Sequence, residues 1–124
     1  MVKKVLYIDD DVWLCDLMLA NLKKAGFEVA AASNGVEGMM KIDEDQPDVI
    51  VLDLFMPGPN GLVLLHELQS YSDLAQIPVI LCTNSVSDIP HVSKLEPYGV
   101  RAVLDKTTME PGDVVNAVRK LTWA

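Results

Sequence analysis

Short β-branched runs alternate with helix-period segments five times along this chain, and that alternation constrains the fold more than any other feature. Strand patterns fall at Lys4–Ile8, Phe27–Ala31, Val49–Leu52, Val79–Cys82 and Val100–Leu104. Helical patterns fall between and after them, at Val12–Ala25, Val36–Glu44, Leu62–Ser70, Ile89–Leu95 and Asp113–Leu121. Strict alternation predicts parallel βαβ units, because parallel neighbours need a long crossover and a helix is the usual one. Strands one, three and four read as continuous apolar runs, the pattern of strands covered on both faces. Glu28 and Arg101 mark strands two and five as edges. With right-handed crossovers, an α/β, doubly wound, five-stranded parallel sheet of order 2-1-3-4-5 with five helices meets both demands. Its switch point lies between strands one and three, so a site is expected there, beyond the strand C-termini.

Length agrees, since 124 residues suit a single domain spanning 1–124. Half the residues are hydrophobic and 23% are charged, enough for a core that needs no disulfide or metal staple. Ten basic against eighteen acidic side chains give a net charge of −8, which repels nucleic-acid backbones and anionic lipid. Apolar stretches such as Val49–Leu52 and Leu62–Leu65 fall far short of the roughly 20 residues that cross a bilayer. Met1-Val2-Lys3-Lys4 looks like the start of a signal peptide, but the Val5–Ile8 run stops at three aspartates. A cytoplasmic protein without membrane insertion is expected. Cys15 and Cys82 lack metal or redox spacing and are expected to be buried and reduced.

Local signals set the helix limits. Asn34 stands three residues before Glu37 as a capping box, Asn60 precedes an apolar run, and Gly26 and Gly99 follow helix ends. Pro111 suits a first helical turn. Pro90 and Pro97 confine the fourth helix to about two turns, with Asp88 as its N-cap, so it is expected to be short and mobile.

The chemistry gathers at the strand ends. Strand one ends in Ile8-Asp9-Asp10-Asp11 and strand three in Leu52-Asp53, on the two sides of the switch point. Asp11 fits the N-cap of helix one. Carboxylates converging there would repel one another unless a cation neutralised them, and an all-oxygen set with retained waters suits Mg²⁺. Thr83 and Lys106 follow the next two strands and add a hydroxyl and an ammonium. Together they match phosphoryl transfer, which needs a nucleophile, charge neutralisation and fixed donors on the phosphoryl oxygens. Asp53 is the candidate nucleophile, Asp9 and Asp10 would hold Mg²⁺, Lys106 would pair with one phosphoryl oxygen, and the Thr83 hydroxyl would donate to another.

From Lys4 to Leu121 the chain resembles the receiver domain of two-component response regulators. The likeness rests on Asp9-Asp10, on Asp53-Leu54-Phe55-Met56-Pro57 followed by Asn60-Gly61, and on Thr83 and Lys106. The resemblance implies a flavodoxin-like fold in which Asp53 accepts a phosphoryl group from a phosphohistidine on a sensor histidine kinase or histidine phosphotransfer protein. It implies Mg²⁺ on Asp10, Asp53 and the backbone carbonyl of Phe55, with Asp9 reaching it through water. It also implies output through the face of helix four, strand five and helix five, toward a downstream protein, a fused output domain or a homodimer. The protein would then catalyse only its own phosphorylation and dephosphorylation.

Departures from the family pattern temper this reading. Thr107 stands where most receivers carry proline after a cis bond, and a cis bond before Thr107 would cost roughly 3 to 4 kcal/mol. Either that strain is borne, or the peptide is trans and Lys106 is aimed differently. Val103 occupies the aromatic switch position, which leaves a non-switching interaction module as an alternative; Tyr98 is read as a surface residue at a helix end. Phe55 and Asn84 stand where water access to the phosphate is set. A small aspartyl phosphohydrolase is the weaker alternative, because Asp9-Asp10-Asp11-Val12 lacks the Asp-x-Asp-Gly-Thr pattern of haloacid-dehalogenase-like enzymes and no cap insertion is there to enclose a substrate. His66 and His91, placed in helices three and four, have no second ligand at metal spacing, and Trp13, Trp123, Met39, Met40 and Met56 are read as packing residues. The sequence leaves open whether the chain is a whole regulator or part of a longer one.

Overall fold

Residues 2–55, 61–84, 86–89 and 91–122 are described by the computed structural model. In chain order the elements are β1 (Lys4–Ile8), α1 (Val12–Lys24), β2 (Glu28–Ala32), α2 (Gly35–Glu44), β3 (Val49–Asp53), α3 (Gly61–Gln69), β4 (Val79–Thr83), α4 (Val92–Leu95), β5 (Val100–Asp105) and α5 (Pro111–Thr122). All pairings are parallel and the sheet order is β2-β1-β3-β4-β5, a flavodoxin-like arrangement. Glu28 and Arg101 lie exposed on the two edges, as their charge requires.

Side chains alternate across each strand, so the sheet divides the core in two. Leu6, Ile8, Ile50, Leu52 and Leu81 pack with Ile42 of α2 and Leu64, Leu65 and Leu68 of α3. Val5, Tyr7, Val49, Val51, Ile80 and Cys82 pack with Met18 and Leu22 of α1 and Val114 and Val118 of α5. Every residue of β3 and β4 is buried, which is why those strands read as unbroken apolar runs. Cys15 and Cys82 are buried free thiols, and burial pushes them up to about 11 and about 12. Among the described residues no helix is long and apolar enough to cross a membrane.

Helix starts follow the side chains that cap them. Asp11 Oδ1 accepts from Leu14 N–H at 3.1 Å, and Asn34 Oδ1 accepts from Glu37 N–H at 2.9 Å. The return arm of the expected capping box is displaced by one residue, since the Glu37 carboxylate accepts from Ser33 Oγ at 2.8 Å and from Ser33 N–H at 3.3 Å. Gly26 and Gly99 end helical segments at φ +97° and +84°, where a side chain would be strained.

Other expectations are corrected. The fourth helical segment is broken into a 3-10 turn at Val86–Asp88, α4 at Val92–Leu95 and a second 3-10 turn at Glu96–Tyr98. Asp88 therefore does not cap α4; His91 does, its Nδ1 accepting from Ser93 N–H at 3.2 Å. Trp13 is not a packing residue. The helical phase of α1 turns Cys15, Met18 and Leu22 inward, leaving Trp13 88% exposed and Leu17 beside it half exposed. Met40 is likewise exposed, whereas Met39 packs on the core. Met56, Pro57, Asn60, Ser85, Pro90 and Trp123 lie outside the described residues.

Gly61 makes a tight backbone approach. A Cβ there would meet the Asp53 carbonyl oxygen at 2.8 Å and Leu54 Cα at 2.9 Å, both backbone atoms that cannot swing aside. Gly61→Ala is expected to lower unfolding free energy by about 2 kcal/mol or more in urea titrations. Gly112→Ala, with nothing within 4 Å of the new methyl, should be neutral or stabilising by up to about 1 kcal/mol.

Candidate functional site

Register builds the site. Ile8 pairs with Leu52, so Asp9 and Asp53 end adjacent strands at the same level. Asp53 pairs with Cys82, which puts Thr83 one residue further toward the crevice, and Thr83 pairs with Asp105, which brings Lys106 to the same edge. Asp53 and Thr83 are the last residues of β3 and β4, and Asp9 and Lys106 directly follow β1 and β5, so all four gather along the C-terminal edge of the sheet beside the predicted switch point between β1 and β3.

Asp9, Asp53 and Thr83 are buried and Asp10 is exposed. One carboxylate oxygen from each of Asp9, Asp10 and Asp53 falls within 4.8 Å of the others. Lys106 Nζ lies 2.9 Å from Asp9 Oδ2 and 3.3 Å from Asp53 Oδ2, donating a hydrogen bond to the latter. The remaining carboxylate oxygens bind the turns: Asp9 Oδ1 accepts from Asp11 N–H at 2.9 Å, and Asp53 Oδ1 from Phe55 N–H at 3.3 Å.

Electrostatics set the protonation of this cluster. Burial, then the Asp9 charge, push the Asp53 carboxyl up to about 6, with Lys106 only partly offsetting them. Burial works to lower the Lys106 ammonium, but Asp9 and Asp53 outweigh it and hold the group above its usual range. One cation facing a set of acids leaves the cluster net negative. Asp9 Oδ2 is buried and lies against the Lys106 ammonium at 2.9 Å. The three carboxylates, sharing one ammonium among them, are an all-oxygen donor set that fits a hard divalent cation.

Lys106 reaches the acids although the peptide before Thr107 is trans, since no cis bond occurs among the described residues. Thr107 N–H and Oγ1 both donate to Asp105 Oδ1, at 2.9 and 2.6 Å. Nothing in the sequence reading singled out Asp105; the Asp-x-Thr spacing of a side-chain-closed turn is the signal that could have.

Around the crevice, Phe55 is half exposed and borders a groove with Leu62, His66, Leu95 and Tyr98. Tyr98 is not simply a surface residue: it packs partly on the core and meets His66 edge-on, ring centroids 5.3 Å apart. Val103 packs on the same core beside Leu81.

The family model for the response regulator receiver domain matches residues 5–119. Among solved structures, a response regulator protein from Burkholderia multivorans is 29% identical, with a TM-score of 0.77 over 100% of this chain and 98% of its own. The receiver domain of Francisella response regulator 1452 is 25% identical, with a TM-score of 0.83 over 96% of this chain and 95% of its own. The chemotaxis response regulator CheY4 of Vibrio cholerae, 23% identical, shares the fold with a TM-score of 0.83 over 98% of this chain and 99% of its own.

The raised Asp53 carboxyl predicts a pH signature in metal-free protein. Between 3.8 and about 6 the folded chain holds this proton more tightly than the unfolded chain, so the group's contribution to stability falls as pH rises through that window. In EDTA at pH 7.5, Asp53→Asn is expected to stabilise the fold by roughly 1–3 kcal/mol. Denaturant titrations from pH 7.5 to 4 should show that advantage shrinking.

Proposed function

The chain belongs to the response regulator receiver domain family, a phosphoacceptor signalling domain, and on that premise we propose that Asp53 takes a phosphoryl group from a phosphohistidine of a sensor histidine kinase or phosphotransfer protein. The observation that carries this reading is the Lys106 ammonium, 3.3 Å from Asp53 and 2.9 Å from Asp9, at the mouth of a net-negative, oxygen-lined crevice. An Asp53 carboxylate oxygen forms the new bond to phosphorus as the bond from the donor imidazole nitrogen breaks, and the electron pair leaves with the imidazole. Lys106 holds charge on one phosphoryl oxygen and the Thr83 hydroxyl donates to another. Asp10, Asp53 and the Phe55 carbonyl would hold Mg²⁺, with Asp9 supporting it. Bound there, Mg²⁺ supplies neutralisation of the charge that carboxylate and phosphoryl oxygens would otherwise bring together.

Residues 1–124 act in this reading as one receiver domain in the cytoplasm, catalysing only its own phosphorylation and dephosphorylation. Output runs through α4, β5 and α5 to a downstream protein, a fused output domain or a homodimer. Val103 is smaller than the aromatic side chain usual in the family, and Tyr98 on His66 supplies aromatic bulk beside α4 instead. A domain that takes the phosphoryl group and then changes neither partner affinity nor oligomeric state would be the non-switching module.

Acetyl phosphate with Mg²⁺ should add one phosphoryl group to the intact mass of the wild-type chain, and none to Asp53→Asn or to wild type in EDTA. Labelling that persists in Asp53→Asn overturns the assignment. Phe55 and Asn84 shield the acyl phosphate from water, so Phe55→Asn and Asn84→Ala should each speed its loss by about threefold or more, followed by mass after the donor is removed. Loss that is unchanged or slower in both removes the shielding role.

A further inference from the structure

The link that aims Lys106 is built unlike a Lys-Pro segment, because Thr107 keeps an N–H that the turn uses. Asp105 Oδ1 accepts from that N–H at 2.9 Å and from Thr107 Oγ1 at 2.6 Å. The Asp105 carbonyl then accepts from Thr108 N–H at 3.2 Å and Met109 N–H at 2.8 Å, closing a single turn after β5. Lys106 N–H donates to the Thr83 carbonyl at 2.9 Å, so the backbone of the lysine is pinned on both sides. A proline fixes one backbone dihedral covalently. Here two hydrogen bonds to one carboxylate oxygen do the equivalent work on a trans peptide.

We propose that Asp105 is a positioning residue: by taking both donors of Thr107 it folds the trans Lys106-Thr107 link into the turn that holds the Lys106 ammonium on Asp9 and Asp53. This rests on the phosphoacceptor reading for its consequence in phosphoryl transfer, but its effect on the metal-free charge cluster does not. Without the Asp105 acceptor, the 105–109 turn loses its side-chain closure and the ammonium spends less time between the carboxylates. Two properties then move in opposite directions. Phosphoryl transfer slows, because the donor is no longer held where charge develops. Mg²⁺ binds more tightly, because the competing cation has withdrawn from the acids. General loosening of the domain would instead weaken both.

The test compares Asp105→Ala, Asp105→Asn, Lys106→Ala and the Asp105→Ala/Lys106→Ala double variant in the intact chain. Mg²⁺ affinity is read by calorimetry, phosphorylation rate with acetyl phosphate, and folding by thermal melts. Asp105→Ala is expected to slow phosphorylation by about tenfold and to tighten Mg²⁺ binding by about threefold. Lys106→Ala should shift both in the same directions, and the double variant should add nothing to Lys106→Ala, the non-additivity expected of residues acting through one group. Asp105→Asn keeps an acceptor oxygen at the same place and should restore most of both properties, which also controls for the lost charge. Multiplying effects in the double variant, weaker Mg²⁺ binding in Asp105→Ala, or an Asn variant no better than the Ala variant would each overturn the proposal. If the wild-type chain binds Mg²⁺ but takes no phosphoryl group, the phosphoacceptor reading fails; the Mg²⁺ comparison still decides whether Asp105 aims Lys106.

Discussion

Asp9 and Asp53 are side-chain carboxylates almost wholly removed from water, and Lys106, itself only 9% exposed, stands between them. Taking each ion out of water costs several kcal/mol, and one ammonium at this distance returns on the order of 5–6 kcal/mol per carboxylate in a typical protein dielectric. The two carboxylates also repel one another, so a single cation does not balance them. The displaced titration of Asp53 is the visible remainder. With exposed Asp10 completing the set, the crevice retains negative charge. In the proposed function that imbalance is what a divalent cation would neutralise, and a phosphoryl group, which brings further negative charge, would need that cation.

The sheet is what makes so charged an edge tolerable. β3 and β4 are buried along their whole length, and two apolar clusters clamp the sheet from both faces. A slip of one residue in any pairing would turn the strand's core side chains to the wrong face, so the register is strongly held. The same register fixes Asp9 beside Asp53, Thr83 one step beyond, and Lys106 after the Thr83–Asp105 pair. Core packing thus positions four chemical groups that lie far apart along the chain. Gly61 belongs to this frame, because α3 starts against the very backbone that carries Asp53.

Much of this was legible because it follows from strand composition. Unbroken apolar runs gave β1, β3 and β4 as interior strands, charge gave β2 and β5 as edges, and right-handed crossovers then left one order. Acids ending buried strands have few structural reasons to be there, which is why Asp9 and Asp53 stood out before any geometry. Side chains read by type alone went astray. Trp13 and Met40 are large and apolar, yet the phase set by Cys15, Met18 and Leu22 in α1, and by Gly35, Gly38 and Ile42 in α2, turns them to solvent. His91 as the cap of α4, the return of Glu37 to Ser33, and the closure of the Lys106 turn by Asp105 are hydrogen bonds between polar neighbours. Such bonds depend on backbone direction, which periodicity does not encode.

If the Asp53–Lys106 pair forms a Mg²⁺-dependent phosphoryl site, an equilibrium mimic of the phosphoryl group should bind there without any turnover. Fluoroberyllate, a tetrahedral stand-in for a phosphoryl group, can be titrated into the chain and followed by ¹⁹F NMR. A bound fluorine signal is expected that appears only when Mg²⁺ is present, vanishes in Asp53→Asn and weakens markedly in Lys106→Ala. A bound signal that survives Asp53→Asn, or no bound signal from wild-type protein saturated with Mg²⁺, would contradict the assignment of this site.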